Sequence, residues 1–233
     1  MIDFHTHFLP CVDDGSKSAE ESISMLNALA EQGVKTVIAT PHFNANDETV
    51  DEFIQRRNEA YESLKDRVPD TLNVVLGAEV RYYDGISHQQ DIKKLRVEGT
   101  KLLMIEMPFR HWSEFELNEL IDLASRGKIT PVIAHIERYI SIVKRETIIK
   151  LVNNGVLFQA NASFFDGLIN MPKAIKMLKQ NQIHFIGSDC HNMAERQPNI
   201  IKAIYAIKKK LGNSSAEDYL NYQNELFRQN KLI

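Results

Sequence analysis

Two histidines separated by one residue, His5 and His7, open a chain in which imidazoles and carboxylates keep returning. Residues i and i+2 of an extended segment face the same way, so this pair can hold one ion. Asp189 and His191 repeat the spacing near the other end. Between them stand His42, within Thr40-Pro41-His42, and then Glu79, Glu106 and His135. Mixed imidazole and carboxylate donors suit divalent zinc, manganese or iron, whereas soft sites need more thiolates than Cys11 and Cys190 supply. A carboxylate reached from a central strand, as Glu79 would be, can bridge two ions. Such a cluster lowers the pKa of a trapped water and neutralises a leaving group, which is hydrolytic chemistry.

Each residue also has an ordinary explanation when taken alone. His-x-His is often incidental, His42 can cap a turn, and Glu106 can be a buried carboxylate neutralised by an arginine. Asp13-Asp14-Gly15-Ser16 reads as a solvated turn. Directly after the histidine pair it also offers a ligand, and Asp14 is the choice over Asp13. His88, His111 and His184 are read as non-ligands; the first lies in a polar stretch and the last begins an apolar run.

What unites the candidates is their position on the elements that must carry them. Short runs rich in Val, Ile, Leu and Phe cover 2–4, 36–39, 73–76, 102–105, 131–134, 156–159 and 184–187. They do not alternate cleanly, which fits parallel strands buried on both faces. Between them lie helix signals. Ser18-Ala19-Glu20-Glu21 is a capping box opening a helix whose Ile23, Leu26, Leu29 and Ala30 share one face, and Gly33 ends it. Similar patterns cover 53–64, 114–124, 145–152, 172–178 and 200–211. Strands alternating with helices predict an α/β fold, a distorted seven-stranded parallel β/α barrel in a single domain spanning 1–233. In such a barrel the carboxyl ends of all strands meet on one face, where chemistry is sited. Six of the seven runs end on, or run into, a candidate ligand.

The remaining features narrow the class. At 233 residues, 43% hydrophobic and 25% charged, the chain has the make-up of an ordinary globular domain. No apolar run is long enough to insert in a membrane, and Met1-Ile2-Asp3-Phe4-His5 has the form of no secretion leader. Two cysteines fit a reducing, cytoplasmic setting. A net charge of -3 without a basic stripe argues against nucleic acid as a partner.

His5-Thr6-His7, Thr40-Pro41-His42, Glu79, His135 and Ser188-Asp189-Cys190-His191 together resemble the PHP (polymerase and histidinol phosphatase) superfamily along the whole chain. A narrower set comprises Met1 to His7, Asp13-Asp14-Gly15, Leu103-Met104-Ile105-Glu106, Ile133 to Tyr139 and Phe185 to Asn192. These segments resemble the CpsB/CapC-type tyrosine phosphatases of bacterial polysaccharide operons. The resemblance implies a trinuclear site, most often manganese, with zinc or iron as other occupants. Carried onto matching positions, it assigns His5, His7, Glu79 and Asp189 to one ion, and Glu79, Glu106 and His135 to a second. Asp14, His42 and His191 would hold the third. Most of the superfamily outside this branch carries His where Asp14 and Glu106 stand here, and the acidic choice favours a harder ion such as manganese. Two departures, Cys190 between the last ligands and Ile136 where proline is common, remove no ligand.

The implied reaction is hydrolysis of a phosphotyrosine monoester by a hydroxide bridging two ions. Arg138 and Arg196 match arginines of the family site and would grip the phosphate in forked contacts; their ordinary reading is a surface ion pair, such as Arg138 with Glu137. The implied partner is a tyrosine autokinase of capsule or exopolysaccharide synthesis. Histidinol phosphate or another small phosphomonoester is the alternative substrate. A further rival is a thiol mechanism, since Cys190 to Arg196 matches C-x5-R, although Asp189 and Glu195 would repel phosphate there. Phe43, Phe109, Trp112, Phe164 and Phe165 follow strand ends and could flank a substrate ring or pack as a lid. Tyr219, Tyr222, Leu226 and Phe227 lie on a helix-like tail that could dock on the barrel or on a second copy.

Overall fold

The apolar runs become parallel strands in the computed structural model, which describes residues 1–232. Among the described residues, nine strands and seven helices form. The strands are β1 (Ile2–Thr6), β2 (Thr36–Ala39), β3 (His42–Phe43), β4 (Asn73–Leu76), β5 (Glu79–Arg81), β6 (Leu102–Glu106), β7 (Thr130–Ile133), β8 (Leu157–Asn161) and β9 (Phe185–Gly187). The helices are α1 (Ala19–Glu31), α2 (Val50–Glu62), α3 (Glu114–Ser125), α4 (Arg145–Asn153), α5 (Asn170–Lys179), α6 (Ile201–Leu211) and α7 (Asn213–Gln229). Ser18 caps α1, its side chain accepting from Glu21 N, but the expected box is half-made, since the Glu21 carboxylate accepts from Lys17 N instead. Complete capping boxes open α2 at Thr49 and Glu52 and α3 at Ser113 and Glu116.

The sheet is curled and parallel, but it comes in two segments rather than as one continuous seven-stranded barrel. One runs β1-β2-β4 and the other β3-β5-β6-β7-β8-β9. The division has a local cause. Pro41 has no N–H for the ladder and separates β2 from β3, while Gly77 and Ala78 separate β4 from β5. Gly77 N still donates to Ala39 O (2.8 Å) and Glu79 N to Pro41 O (3.0 Å), so the chains stay side by side across the break. Beyond it, His42 pairs with Glu79 in register. The two interrupted strands therefore deliver these side chains as short extensions.

β1 meets the segment just past β9 through an isolated parallel bridge, Thr6 with Cys190. Asp189 N donates to His5 O (2.8 Å) and His7 N to Cys190 O (2.9 Å). The approach demands a glycine, since a Cβ on Gly187 would lie 2.5 Å from the Cβ of His5. Below the bridge the gap is filled by α7. Gln223 donates to Ile2 O (2.8 Å) and accepts from Ile186 N (3.3 Å), standing in for a missing strand pairing. Successive strand residues alternate between two apolar clusters. One packs under the helices, and the other, which includes Phe4, Ile38, Met104, Val132 and Phe185, is lined by Leu226 and Phe227 of α7. Phe4 stacks on Phe185 at 3.9 Å, with Phe227 edge-on to Phe4. The tail thus docks on its own sheet.

Gln223→Ala would leave two buried backbone groups without partners, at roughly 1–3 kcal/mol each. We expect the urea midpoint to fall with an unchanged slope. An unmoved midpoint would mean the bridge contributes nothing.

Candidate metal centre

Every ligand candidate from the sequence lies at or just past the carboxyl end of a strand, or in the turn after β1, and the fold gathers them. His5 Nε2 and His7 Nε2 lie 2.9 Å apart. Glu79, fully buried, faces four imidazoles. Its Oε2 is 3.1 Å from His5, 3.3 Å from His7 and 3.2 Å from His42, and its Oε1 is 2.9 Å from His135. Asp189 Oδ1 stands 3.5 Å from both His5 and His7. Asp14, 64% exposed, places Oδ1 3.4 Å from both His42 and His191. Glu106 Oε1 is 3.4 Å from His135 Nε2. Three overlapping groups result: His5, His7 and Asp189; His7, Asp14, His42 and His191; and His42, Glu79 and Glu106. His88 and His111 are exposed and outside these groups, and buried His184 accepts from Phe158 N (3.0 Å).

The donor set fits divalent ions. Ligands about 2.1 Å from a common ion are separated by about 3.0–3.4 Å, the range of the contacts around His5, His7 and Glu79. His191 Nε2 is buried with no hydrogen-bond partner, which is costly unless something charged lies before it. Backbone strain concentrates at the same place. His135 (φ 33) and Asp189 (φ 53) both occupy the left-handed region that L residues avoid.

A supporting layer, unread in the sequence, sets the imidazoles. His7 Nδ1 faces Asp13 Oδ2 at 2.7 Å, an arrangement that keeps a proton on Nδ1 and leaves Nε2 as the nitrogen a cation would take in place of its proton. Asp13 also accepts from His42 N (3.0 Å) and Gly15 N (2.8 Å), so the two aspartates differ: Asp13 braces the back of His7, while the more exposed Asp14 faces His42 and His191. Gln159 Oε1 meets His5 Nδ1 (3.1 Å) and accepts from His135 N (2.7 Å). Gln159 closes the one expected strand, 156–159, left without a candidate ligand, and a buried amide at that position was the available signal. Asn161 Nδ2 donates to Asp189 Oδ2 (2.8 Å).

The charges are strongly coupled. Burial alone would raise the Glu79 carboxyl, but His5 and the hydrogen bond from His135 hold it well below the usual carboxylate range. Burial likewise opposes protonation of His7, yet Asp13 and Glu79 raise it to about 10; Glu106 and Glu79 raise His135 to about 9. Burial and the nearby His7 push His191 down to about 4. Without ions the carboxylates thus hold protons on imidazoles, and cations that replace those protons satisfy the same charge.

Asp3, beneath the cluster, was also missed. Its Oδ1 accepts from Ser188 N (2.8 Å) and His5 N (3.3 Å), tying β9 to β1, and burial pushes its pKa up to about 6 from 3.8. A raised folded-state pKa means stability is fully present below about 4 and lost as pH rises through 6. The shift is worth about 3 kcal/mol. In chelated protein, Asp3→Asn should flatten the denaturation midpoint between pH 4 and 6; an equally steep dependence in the variant would exclude Asp3 as its source.

Arg138, after β7, and Arg196, after β9, converge on one carboxylate oxygen. Their guanidinium groups lie 2.9 and 2.7 Å from Asp189 Oδ2. Glu137 does not pair with Arg138; it accepts from Asn161 N. Of the five aromatics expected at the rim, Phe43, Trp112, Phe164 and Phe165 are buried, and Phe109 is 73% exposed.

The C-x5-R segment forms no anion-binding loop. Asn192 Oδ1 takes the N–H groups of Ala194, Glu195 and Arg196 at 2.9, 2.8 and 3.1 Å. Cys190 is fully buried, and burial, with Asp3 and Asp189 nearby, pushes its thiol far up. A thiolate nucleophile is therefore overturned here.

Imidazoles and carboxylates converging where parallel strands end define the class, a metallohydrolase-type α/β protein. The model of the family described as capsular polysaccharide synthesis, CpsB/CapC, matches residues 1–230, and the chain belongs to that family. Tyrosine-protein phosphatase YwqE of Bacillus subtilis (strain 168) is 33% identical over 250 residues, with 100% of this chain and 93% of that protein covered. Tyrosine-protein phosphatase CpsB of Streptococcus pneumoniae is 32% identical over 234 residues, with 94% of each covered. A crystal structure from work on these two proteins, described as unique metal-dependent tyrosine phosphatases, superposes with a TM-score of 0.81 at 31% identity, covering 100% of this chain and 96% of that one. A histidinol phosphate phosphatase of Lactococcus lactis, complexed with zinc, L-histidinol and phosphate, gives a TM-score of 0.56 at 13% identity, covering 89% and 92%; this likeness concerns the fold alone.

Proposed function

We propose that this chain is a metal-dependent protein tyrosine phosphatase that hydrolyses phosphotyrosine monoesters on a tyrosine autokinase of capsule or exopolysaccharide synthesis, in the cytoplasm. The observation that carries the reading is the buried imidazole and carboxylate cluster with two guanidinium groups on its rim. Family membership supports the substrate class. In this reading the sheet segments act as seven staves of one barrel, β3 continuing β2 and β5 continuing β4, within a single domain.

His5, His7, Glu79 and Asp189 would hold one ion, Glu79, Glu106 and His135 a second, and Asp14, His42 and His191 a third, with manganese the best match to so many carboxylates. When bound, such ions supply Lewis acidity that makes a water nucleophilic at neutral pH and offsets charge on phosphate. The protein's own groups do the rest. Arg138 and Arg196 bind and orient the outer phosphate oxygens. Asp13 and Gln159 fix the proton-bearing nitrogens of His7 and His5, and Asn161 holds Asp189 Oδ2 in place. A phenol leaves with a pKa near 10, so the reaction places little demand on a strong general acid.

Chelation should abolish phosphate release from a phosphotyrosyl peptide, and added manganese should restore it. Histidinol phosphate should be the poorer substrate, and Cys190→Ser should retain most activity. Activity surviving complete chelation would sink the metal reading, and loss confined to Cys190→Ser would revive the thiol one.

A further inference from the structure

Two clefts flank Arg138, and they differ in chemistry. One, of about 310 Å³, is lined by polar groups that include Asn161, Ser188, Asp189 and Arg196. The other, of about 320 Å³, starts at Glu106 and Arg138 and runs outward between Tyr82, Tyr139 and Phe109, with Arg81 along its edge. Its floor is rigid. The Tyr139 hydroxyl donates to Met107 O (2.7 Å), and its ring packs edge-on against Trp112 at 5.0 Å. Tyr82 is locked by donating to Glu119 (2.6 Å). Phe109 approaches Tyr139 at 6.5 Å yet remains largely in water, an arrangement that gives the fold little. Arg81 follows Glu79 by two residues, so it leaves the strand on the same side, and it has no ion-pair partner among the described residues.

We infer that the aromatic cleft is the leaving-group subsite. The substrate phenol ring lies between Phe109 and Tyr82 over Tyr139, its phosphate directed at the Arg138 end, and Arg81 receives a carboxylate beside the phosphotyrosine. The inference rests on the phosphatase reading and adds its specificity. An aryl ester fits because the cleft pairs aromatic walls with a charged inner end. Of the two clefts beside Arg138, it is the one with an apolar wall to replace water around a ring. The free guanidinium selects acidic flanking sequence in the same way.

Calorimetry on the manganese-loaded full chain tests the subsite with phenylphosphonate and inorganic phosphate. Wild type should prefer phenylphosphonate. Phe109→Ala should weaken that binding about tenfold and leave phosphate within twofold, while Phe109→Tyr restores it. Equal losses on both probes, or none, would overturn the inference; because Phe109 is exposed, its thermal midpoint should not move. Arg81→Ala should lower kcat/KM at least threefold for a phosphotyrosyl peptide with adjacent Glu and leave the Ala-flanked peptide unchanged; equal effects would remove Arg81 from recognition. Should wild type bind phenylphosphonate preferentially but release no phosphate from peptide, the phosphatase reading fails and the aryl subsite stands.

Discussion

Glu79→Gln is expected to reduce turnover of phosphotyrosyl peptide by roughly 10³-fold or more and to lower the number of ions retained per chain. The amide keeps the shape of the side chain but not its charge. Glu79 faces four imidazoles from a buried position, and both of its oxygens are engaged. A neutral group there cannot bridge two cations, and it also withdraws the charge that keeps His7 and His135 raised. Elemental analysis after desalting, run beside the assay, separates the outcomes. Low activity with full ion content would assign Glu79 a role in orientation alone, and full activity with full content would remove it from the centre.

Arg138→Ala and Arg196→Ala should each cost about 10²-fold in kcat/KM, a size typical of losing one charged group that stabilises a transition state. The double variant should lose less than the product of the two. The geometry explains the coupling, because both guanidinium groups and Asn161 share a single oxygen of Asp189. The other oxygen faces His5 and His7. Asp189 therefore links the arginine edge to the cluster, and loss of either guanidinium already loosens a position that both must hold. Both side chains are about two-fifths exposed, so donors remain for an incoming phosphate. Lysine at either position should recover little, since it lacks the planar fork. Unchanged ion content with weaker inhibition by inorganic phosphate is the expected signature. An equal loss of ions would show that these residues act by holding the centre together.

The sequence by itself determined which side chains could meet, and for a local reason. Strand runs and caps are set by residues within a few positions of one another, and a parallel sheet puts all its carboxyl ends on one face. His5, His42, Glu79, Glu106, His135 and Asp189 could therefore be placed at one end of the fold before any contact was known. Tertiary structure decided that the second and third runs, broken locally at Pro41 and Gly77, resume side by side as β3 and β5, because that pairing joins residues far apart in the chain. It separated Asp13 from Asp14, adjacent and chemically alike, by which one faces the back of His7. It left Phe109 in solvent while burying four other aromatics, and turned Gln159 and Gln223 from unremarkable amides into braces. The glutamine braces depend on partners tens to hundreds of positions away, and even for Asp13, six residues from His7, spacing along the chain carries no information about which buried group will need a hydrogen bond.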